Sequence, residues 1–207
     1  MIYTQIMDTK LTVPIAAKNL EEAGKQIKAA EAGGAEMLEL RADYLENLSV
    51  EPVKKLIGQA KSSTKRKLPI IVTCRDQRQG GAKSYPDQLR VDVLCSAIES
   101  GAEFIDLEYE NYLSAEDREK IDSTLAKGSK TRLILSAHNF ETKFADIEQL
   151  YDDILQTRPT AIVKLVYTAE HINDCFEAFD LLHKKSSCER IVFHQSLNTT
   201  KRFMVLK

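Results

Sequence analysis

Apolar and polar positions along this chain follow two alternating periods. Seven short runs rich in Ile, Val and Leu read as strands: "LTVPIAA" (11–17), "AEMLELRA" (35–42), "LPIIVTCR" (68–75), "AEFIDLEY" (102–109), "TRLILSAH" (131–138), "TAIVKLVY" (160–167) and "ERIVFHQS" (189–196). Their near-continuous apolar character suits parallel strands covered on both faces. Between them lie amphipathic segments with helix signals at their ends. "NLEEAGKQIKAAEAGG" opens with Asn19 as an N-cap, has Glu22 three residues on, and closes in glycines. "SVEPVKKLIGQAKSS" has Ser49 at its head, and "PDQLRVDVLCSAIESG" spaces Leu89, Val93 and Ile98 near a helical period before Gly101. "SAEDREKIDSTLAKGS" starts with Ser114, Glu116 and Asp117, acids where a helix N-terminus favours them. "FADIEQLYDDILQTRP" and "EHINDCFEAFDLLHKKSS" complete the set.

Strand starts recur at roughly 30-residue intervals, the length of a βα unit. No Pro-rich linker or low-complexity segment divides them. The pattern predicts one α/β domain over residues 1–207, with barrel units across 11–196 and an atypical tail at 197–207. An open doubly wound sheet would carry a Gly-rich turn after its first strand, and "AAKNLEEAG" has no GxGxxG. A (β/α)8 TIM-type barrel fits the even repeat better. Such barrels typically take about 250 residues. This chain has 207 and about seven strands, so the barrel is expected to be incomplete at its C-terminus.

Composition narrows the function classes. There are 29 basic and 31 acidic residues, a net charge of −2, so no basic excess points to nucleic acid and no polybasic cluster to a membrane surface. No apolar stretch approaches the roughly 20 residues that span a bilayer. "MIYTQIMDTK" lacks the basic and apolar regions of a signal peptide. Cys74, Cys95, Cys175 and Cys188 form no CxxC pair and read as reduced thiols of a cytoplasmic protein.

In a βα barrel the chemistry sits at the C-terminal ends of the strands. The second run there carries Glu39 and Arg41, two apart and on one face; the third ends in Arg75. The fourth carries Asp106 and Glu108, the fifth ends in His138, and the sixth holds Lys164. Each has an ordinary structural reading. Glu39 and Arg41 would pair with each other, Arg75 would be solvated, and Asp106 and Glu108 would satisfy backbone groups. His138 would be a satisfied polar residue. Lys164 stands apart, because Ile162, Val163, Leu165 and Val166 leave it little polar company. A lysine desolvated beside other cations loses its proton and becomes a nucleophilic amine, suited to a Schiff base with a carbonyl substrate. A Schiff base acidifies the adjacent C–H. A nearby His can take that proton and deliver one to a leaving hydroxyl. Two arginines can hold an anionic substrate, most plainly a carboxylate. Together these groups describe β-elimination of water, or aldol chemistry, on a small carbonyl acid.

Four segments in the same strand order then carry a resemblance: "ELRAD" (39–43), "TCR" followed by "GG" (73–75, 80–81), "SAHNF" (136–140) and "VKL" (163–165). The chain resembles type I 3-dehydroquinate dehydratases from about residue 11 to about 185. The resemblance implies a metal-free (β/α)8 barrel, cytoplasmic and homodimeric, with no cofactor. Its implied activity is conversion of the small molecule 3-dehydroquinate to 3-dehydroshikimate in the shikimate pathway. It implies Lys164 as the Schiff-base lysine and His138 as the general acid/base, with Glu39, Arg41 and Arg75 contacting or orienting substrate. Members usually carry a Glu just before the "GG"; here it is Gln79, which can still hydrogen-bond but supplies no charge to tune His138. The family's seventh strand leads into a segment like MGxxGxxSR, whose arginine grips the substrate carboxylate, and then an eighth strand with a closing loop. Here the chain reads "RIVFHQSLNTTKRFMVLK", with no such motif and no eighth strand expected. Arg202 stands in a different context and inherits no role. The tail resembles a truncated or frameshifted end.

Weaker signals are read as structural. "GG" at 80–81 shapes a loop rather than a phosphate site. His171 and Cys175, at i and i+4 of an expected helix, would need further ligands to hold a metal, and His194 with Cys188 upstream is treated alike. "HKKSS" reads as a helix C-terminus. Two other readings stay open: a class I Schiff-base aldolase of the same architecture, and a non-catalytic truncated homologue.

Overall fold

The computed structural model describes residues 10–184, 190–196 and 205–206. Strands β1 (Thr12–Ile15), β2 (Met37–Arg41), β3 (Ile70–Thr73), β4 (Phe104–Glu108), β5 (Arg132–Asn139), β6 (Ile162–Ala169) and β7 (Arg190–Ser196) pair in sequence order, all parallel. All seven expected runs are strands. The chain adds one strand that the sequence did not suggest. β8 (Val205–Leu206) runs antiparallel to β7, pairing Ile191 with Leu206 and Val192 with Val205. A closed barrel would hold a parallel strand there.

Helices α1 (Leu20–Ala32), α2 (Val50–Ser63), α3 (Asp87–Glu99), α5 (Ala115–Leu125), α6 (Ile147–Thr157) and α7 (Asp174–Lys184) fill the connections. A short helix, α4 (Tyr109–Tyr112), follows β4 directly and was not anticipated. Their starts follow local chemistry. Asn19 Oδ1 accepts from Glu22 N at 3.0 Å, as expected; Glu22 reaches back to the backbone N–H of Lys18 at 2.9 Å, one residue beyond the reciprocal capping-box position. Asp146 caps α6 by accepting from Gln149 N at 2.8 Å. Ser49 makes no side-chain cap bond, contrary to expectation. α7 begins at Asp174, so His171 lies in the preceding turn rather than on a helix with Cys175. There Asp174 Oδ2 accepts from the Glu170 and His171 N–H groups. Among the described residues no His/Cys/Asp/Glu group could hold a metal ion. Cys188 lies outside the described residues, as does the His194 side chain.

Strands β2 to β6 are largely buried on both faces because their odd and even residues enter different cores. One set, including Leu38, Leu40, Val72, Ile105, Leu107, Leu135, Val163 and Leu165, packs under the helices. The other set forms a separate apolar cluster of Met37, Ile71, Ile134, Ile162 and Ile191, with Phe104 against it. Those residues alternate with the helix-facing set, so they fill the hollow of the curled sheet. Two residues further along β2, β4 and β6 the same inner face carries Glu39, Asp106 and Lys164. The apolar cluster is therefore the dry floor beneath a polar layer.

Among the described residues no helix is long and apolar enough to cross a membrane. Cys74, Cys95 and Cys175 are buried free thiols. Burial pushes the Cys74 thiol up to about 12, which leaves it unreactive.

Candidate active site

Strand tilt decides which inner residues meet. Glu39 is the register partner of Ile71, yet it hydrogen-bonds Thr73, two residues further on. Following that stagger, the polar layer runs from Glu39 and Arg41 on β2, through Thr73 and Arg75, to Asp106 and Glu108 on β4. It continues through Ser136 and His138 on β5 to Lys164 on β6.

Lys164 sits at the centre of this layer and is 7% exposed. Its Nζ lies 2.8 Å from Asp106 Oδ2 and 3.4 Å from Glu39 Oε1. The lysine therefore points into the hollow, on the face with Ile162. The expectation of little polar company is corrected: two buried carboxylates face it, contributed by strands distant in sequence. Each carboxylate is held by a hydroxyl. Thr73 Oγ1 donates to Glu39 Oε1 at 2.8 Å, and Ser136 Oγ donates to Asp106 Oδ1 at 2.6 Å.

Arg75 is 3% exposed rather than solvated. Its Nη2 donates to Asp106 Oδ2 at 2.8 Å, and its Nη1 donates to Glu108 Oε1 at 2.8 Å and to Ser136 Oγ at 2.6 Å. Asp106 and Glu108 thus bind cations; Glu108 also accepts the Asp76 backbone N–H at 3.1 Å. Glu39 and Arg41 do not pair with each other by hydrogen bonds. Arg41 instead forks onto Asp43, Nε to Oδ1 at 2.9 Å and Nη2 to Oδ2 at 2.7 Å, and lies over the Tyr44 ring. Its Nη1 has no partner among the described residues, leaving two donors for an anion at the mouth of the site.

Ionisation follows this geometry. Burial pushes Asp106 up, but Arg75 and Lys164 more than reverse that and hold the carboxyl far below the usual carboxylate range. Glu39 responds in the same way: burial raises it, while Lys164 and the nearby arginines pull it below its ordinary value. Arg75 is raised despite burial because Asp106 and Glu108 flank it.

His138 is half-buried at the rim. Burial, Arg75 and Lys164 all push its pKa well below the ordinary imidazole value, so it is neutral at neutral pH. Its tautomer follows from one neighbour. The His138 backbone N–H can only donate, and it meets Gln79 Oε1 at 3.1 Å; the same oxygen lies 3.2 Å from His138 Nδ1. Nδ1 therefore carries the hydrogen, and the lone pair sits on Nε2. Gln79 is delivered by a short 3-10 turn (Gln77–Gln79) that the two following glycines close. Gly80 has φ +85° and packs against the Phe140 ring, and a Cβ on Gly81 would collide with the Arg75 and Asp76 carbonyl oxygens.

The structure brings Glu39, Arg41, Arg75, His138 and Lys164 to one rim. The sequence reading did not single out Thr73, Ser136 and Asp43. Thr73 and Ser136 were discoverable, because each lies two residues before a predicted site residue and so shares its face. Asp43 stands two residues after Arg41, but in a 3-10 turn (Ala42–Tyr44) beyond the strand, where that period does not apply.

Comparison with known proteins identifies the family. The family model of type I 3-dehydroquinase matches residues 11–194. A 3-dehydroquinate dehydratase of Methanococcus maripaludis is 29% identical over 177 residues, covering 85% of this chain and 75% of that protein. One from Methanococcus vannielii is 32% identical over 142 residues, covering 69% of this chain and 59% of its own length. Among solved structures, the type I 3-dehydroquinate dehydratase of Clostridium difficile superposes with a TM-score of 0.80 at 19% identity, covering 91% of this chain and 76% of that one, which supports the TIM-barrel-type fold. With the family model spanning most of its length, the chain belongs to the type I 3-dehydroquinase family.

Proposed function

We propose that this chain is a hydro-lyase that converts 3-dehydroquinate to 3-dehydroshikimate through a Schiff base on Lys164. The observation that carries the reading is Lys164 Nζ, buried on the inner face and aimed at Asp106 and Glu39, with His138 and two arginines at the same rim. Family membership supplies the substrate class, a cyclic keto acid with a hydroxyl β to its carbonyl.

Once its ammonium proton is released, Lys164 Nζ adds to the substrate carbonyl, and loss of one water leaves an iminium. The positive nitrogen forms beside Asp106 and Glu39, two buried carboxylates that stabilise it. The iminium acidifies the neighbouring C–H. His138, neutral with its lone pair on Nε2, takes that proton. The resulting enamine expels the β-hydroxyl, which leaves as water with the proton His138 has just gained. Hydrolysis of the iminium returns the enone and the free lysine, so the net change is loss of one water. Arg41, with its unpartnered Nη1, is the group placed to hold the substrate carboxylate. Arg75 has three of its five N–H donors committed inside the protein, so its larger part is to orient Asp106. The protein would act as a homodimer in the cytoplasm, consistent with the family.

The test is borohydride reduction during turnover of 3-dehydroquinate, followed by mass mapping. A stable adduct on Lys164, lost in Lys164→Ala together with enone formation, is expected. Turnover without an adduct on Lys164 refutes the mechanism. Retro-aldol products without dehydration would favour the aldolase reading. A folded chain that is inert on both counts would favour the non-catalytic one.

A further inference from the structure

Arg90 projects from α3 and takes no part in the steps above, yet it is 2% exposed and fully engaged. Its Nε donates to the Cys74 carbonyl at 3.0 Å. Nη1 donates to Asp76 Oδ2 at 2.9 Å and Asp87 Oδ1 at 2.8 Å, and Nη2 to Glu108 Oε2 and, at 3.4 Å, to Asn111 Oδ1. A guanidinium has five N–H donors, and all are used. Burying such a group is a poor route to stability, because apolar residues of similar volume commonly do as well or better. Its use here calls for a geometric reason, and two of its partners supply one.

The first is Glu108. One of its oxygens faces Arg90; the other accepts from Arg75 Nη1 at 2.8 Å. Arg75 in turn fixes Asp106, which faces Lys164. The second is Asp76. Its Oδ2 takes Arg90, and its Oδ1 caps the 3-10 turn by accepting the Arg78 N–H at 2.7 Å. That turn ends in Gln79, which sets the His138 tautomer. One side chain outside the sheet thus reaches the lysine's counter-ion in one direction and the histidine's partner in the other.

We infer that Arg90 is a positioning residue, which from α3 sets Arg75 through Glu108 and His138 through the Asp76–Gln79 turn. The inference rests on the proposed dehydration for its catalytic consequence, but its geometric claim can be read without activity. The charged groups acting on His138 are Arg75 from β3, Lys164 from β6, Asp106 from β4 and Arg41 from β2, with Gln79 as the neutral partner. If Arg90 is replaced, Arg75 draws back, which eases protonation of His138; the turn also loosens, and loss of the neutral Gln79 acceptor opposes protonation more weakly than withdrawal of the cation favours it.

The experiment compares Arg90→Lys with Ile98→Ala in the full chain. The lysine keeps the charge but cannot span Glu108 and Asp76 as a fork. Ile98 is on the same helix in the apolar core, away from the ion chain. The readouts are the His138 imidazole titration by NMR, identified by its loss in His138→Asn, thermal stability, and kcat/KM on 3-dehydroquinate. Arg90→Lys should raise the His138 midpoint by about half a pH unit or more. It should lower kcat/KM by about ten- to a hundredfold, as small misplacements of reacting groups do. Ile98→Ala should lose stability with the His138 midpoint unmoved. If the two variants differ only in stability, or Arg90→Lys leaves the midpoint where it was, the inference is overturned. Absence of dehydration in the unmodified chain would defeat the proposed function, while the titration would still decide the positioning role. Should Arg90→Lys not fold, Asp76→Asn breaks the arm toward the turn, together with the Arg78 pair on the same carboxylate. It should lower the midpoint, because the loosened turn takes the Gln79 acceptor away from His138 Nδ1; an unmoved midpoint there overturns the inference equally.

Discussion

Replacing Asp106 by asparagine removes one charge from the centre of the site without changing its shape. Asp106 is fully buried, and its Oδ2 serves both Arg75 and Lys164 at 2.8 Å while Oδ1 takes the Ser136 hydroxyl at 2.6 Å. In Asp106→Asn two buried cations lose their shared anion, although Arg75 keeps Glu108 and Lys164 keeps Glu39. Breaking a buried ion pair by removing one partner typically costs about 3–5 kcal/mol. For a domain of this size each kcal/mol shifts Tm by roughly 2–4 °C, so Tm should fall by about 6–20 °C. The sign with pH is also fixed. The folded pKa of Asp106 lies below its unfolded value, so its contribution is fully present above the unfolded pKa of about 3.9 and is lost as pH falls below it. Asp106→Asn should therefore lose most stability at neutral pH and approach the parent chain under acid. Lys164→Met in the same background removes one stranded cation, so the double variant should be more stable than the summed losses by about 0.5–3 kcal/mol. Urea unfolding of the four chains at pH 7 and at steps down to about pH 2 reads both effects. A loss below about 1 kcal/mol at pH 7, or strict additivity with Lys164→Met, would show that Asp106 is not the lysine's counter-ion.

Two further changes probe the rim. Gln79→Glu places a carboxylate on His138 Nδ1, which raises the folded pKa of His138, so the acidic limb of the kcat/KM–pH profile should move to higher pH. With Gln79, His138 resists protonation in the folded state, so stability falls as pH drops below the unfolded value of about 6.5; Gln79→Glu should flatten that fall, and an unchanged slope would contradict the assigned contact. Gly81→Ala forces a Cβ against the Arg75 and Asp76 carbonyl oxygens and should cost about 1–3 kcal/mol while lowering kcat through Gln79, as thermal melts and steady-state rates together would show.

Much of the site could be read before any coordinates because the strand period is two. Glu39 with Arg41, Asp106 with Glu108, and Lys164 with Ile162 each occupy one face, and that face turned out to be the inner one. The fold class was equally accessible: seven near-continuous apolar runs at even spacing admit few arrangements other than parallel strands covered by helices. The antiparallel β8 escaped this logic, since a two-residue strand carries no period.

What the sequence by itself determined is local: which residues form strands and helices, which side of each strand they share, and that a lysine stands among apolar neighbours. Only the tertiary structure decided what those side chains meet. Lys164 was expected to stand among cations, and it faces Asp106 and Glu39; Arg75 was offered to solvent, and it is sealed between Asp106, Glu108 and Ser136. The reason is strand tilt. Stagger brings residues to one height that are not register partners, and helix packing brings Arg90 of α3 within reach of Glu108. Ion pairing between strands depends on that stagger, and no single segment encodes it.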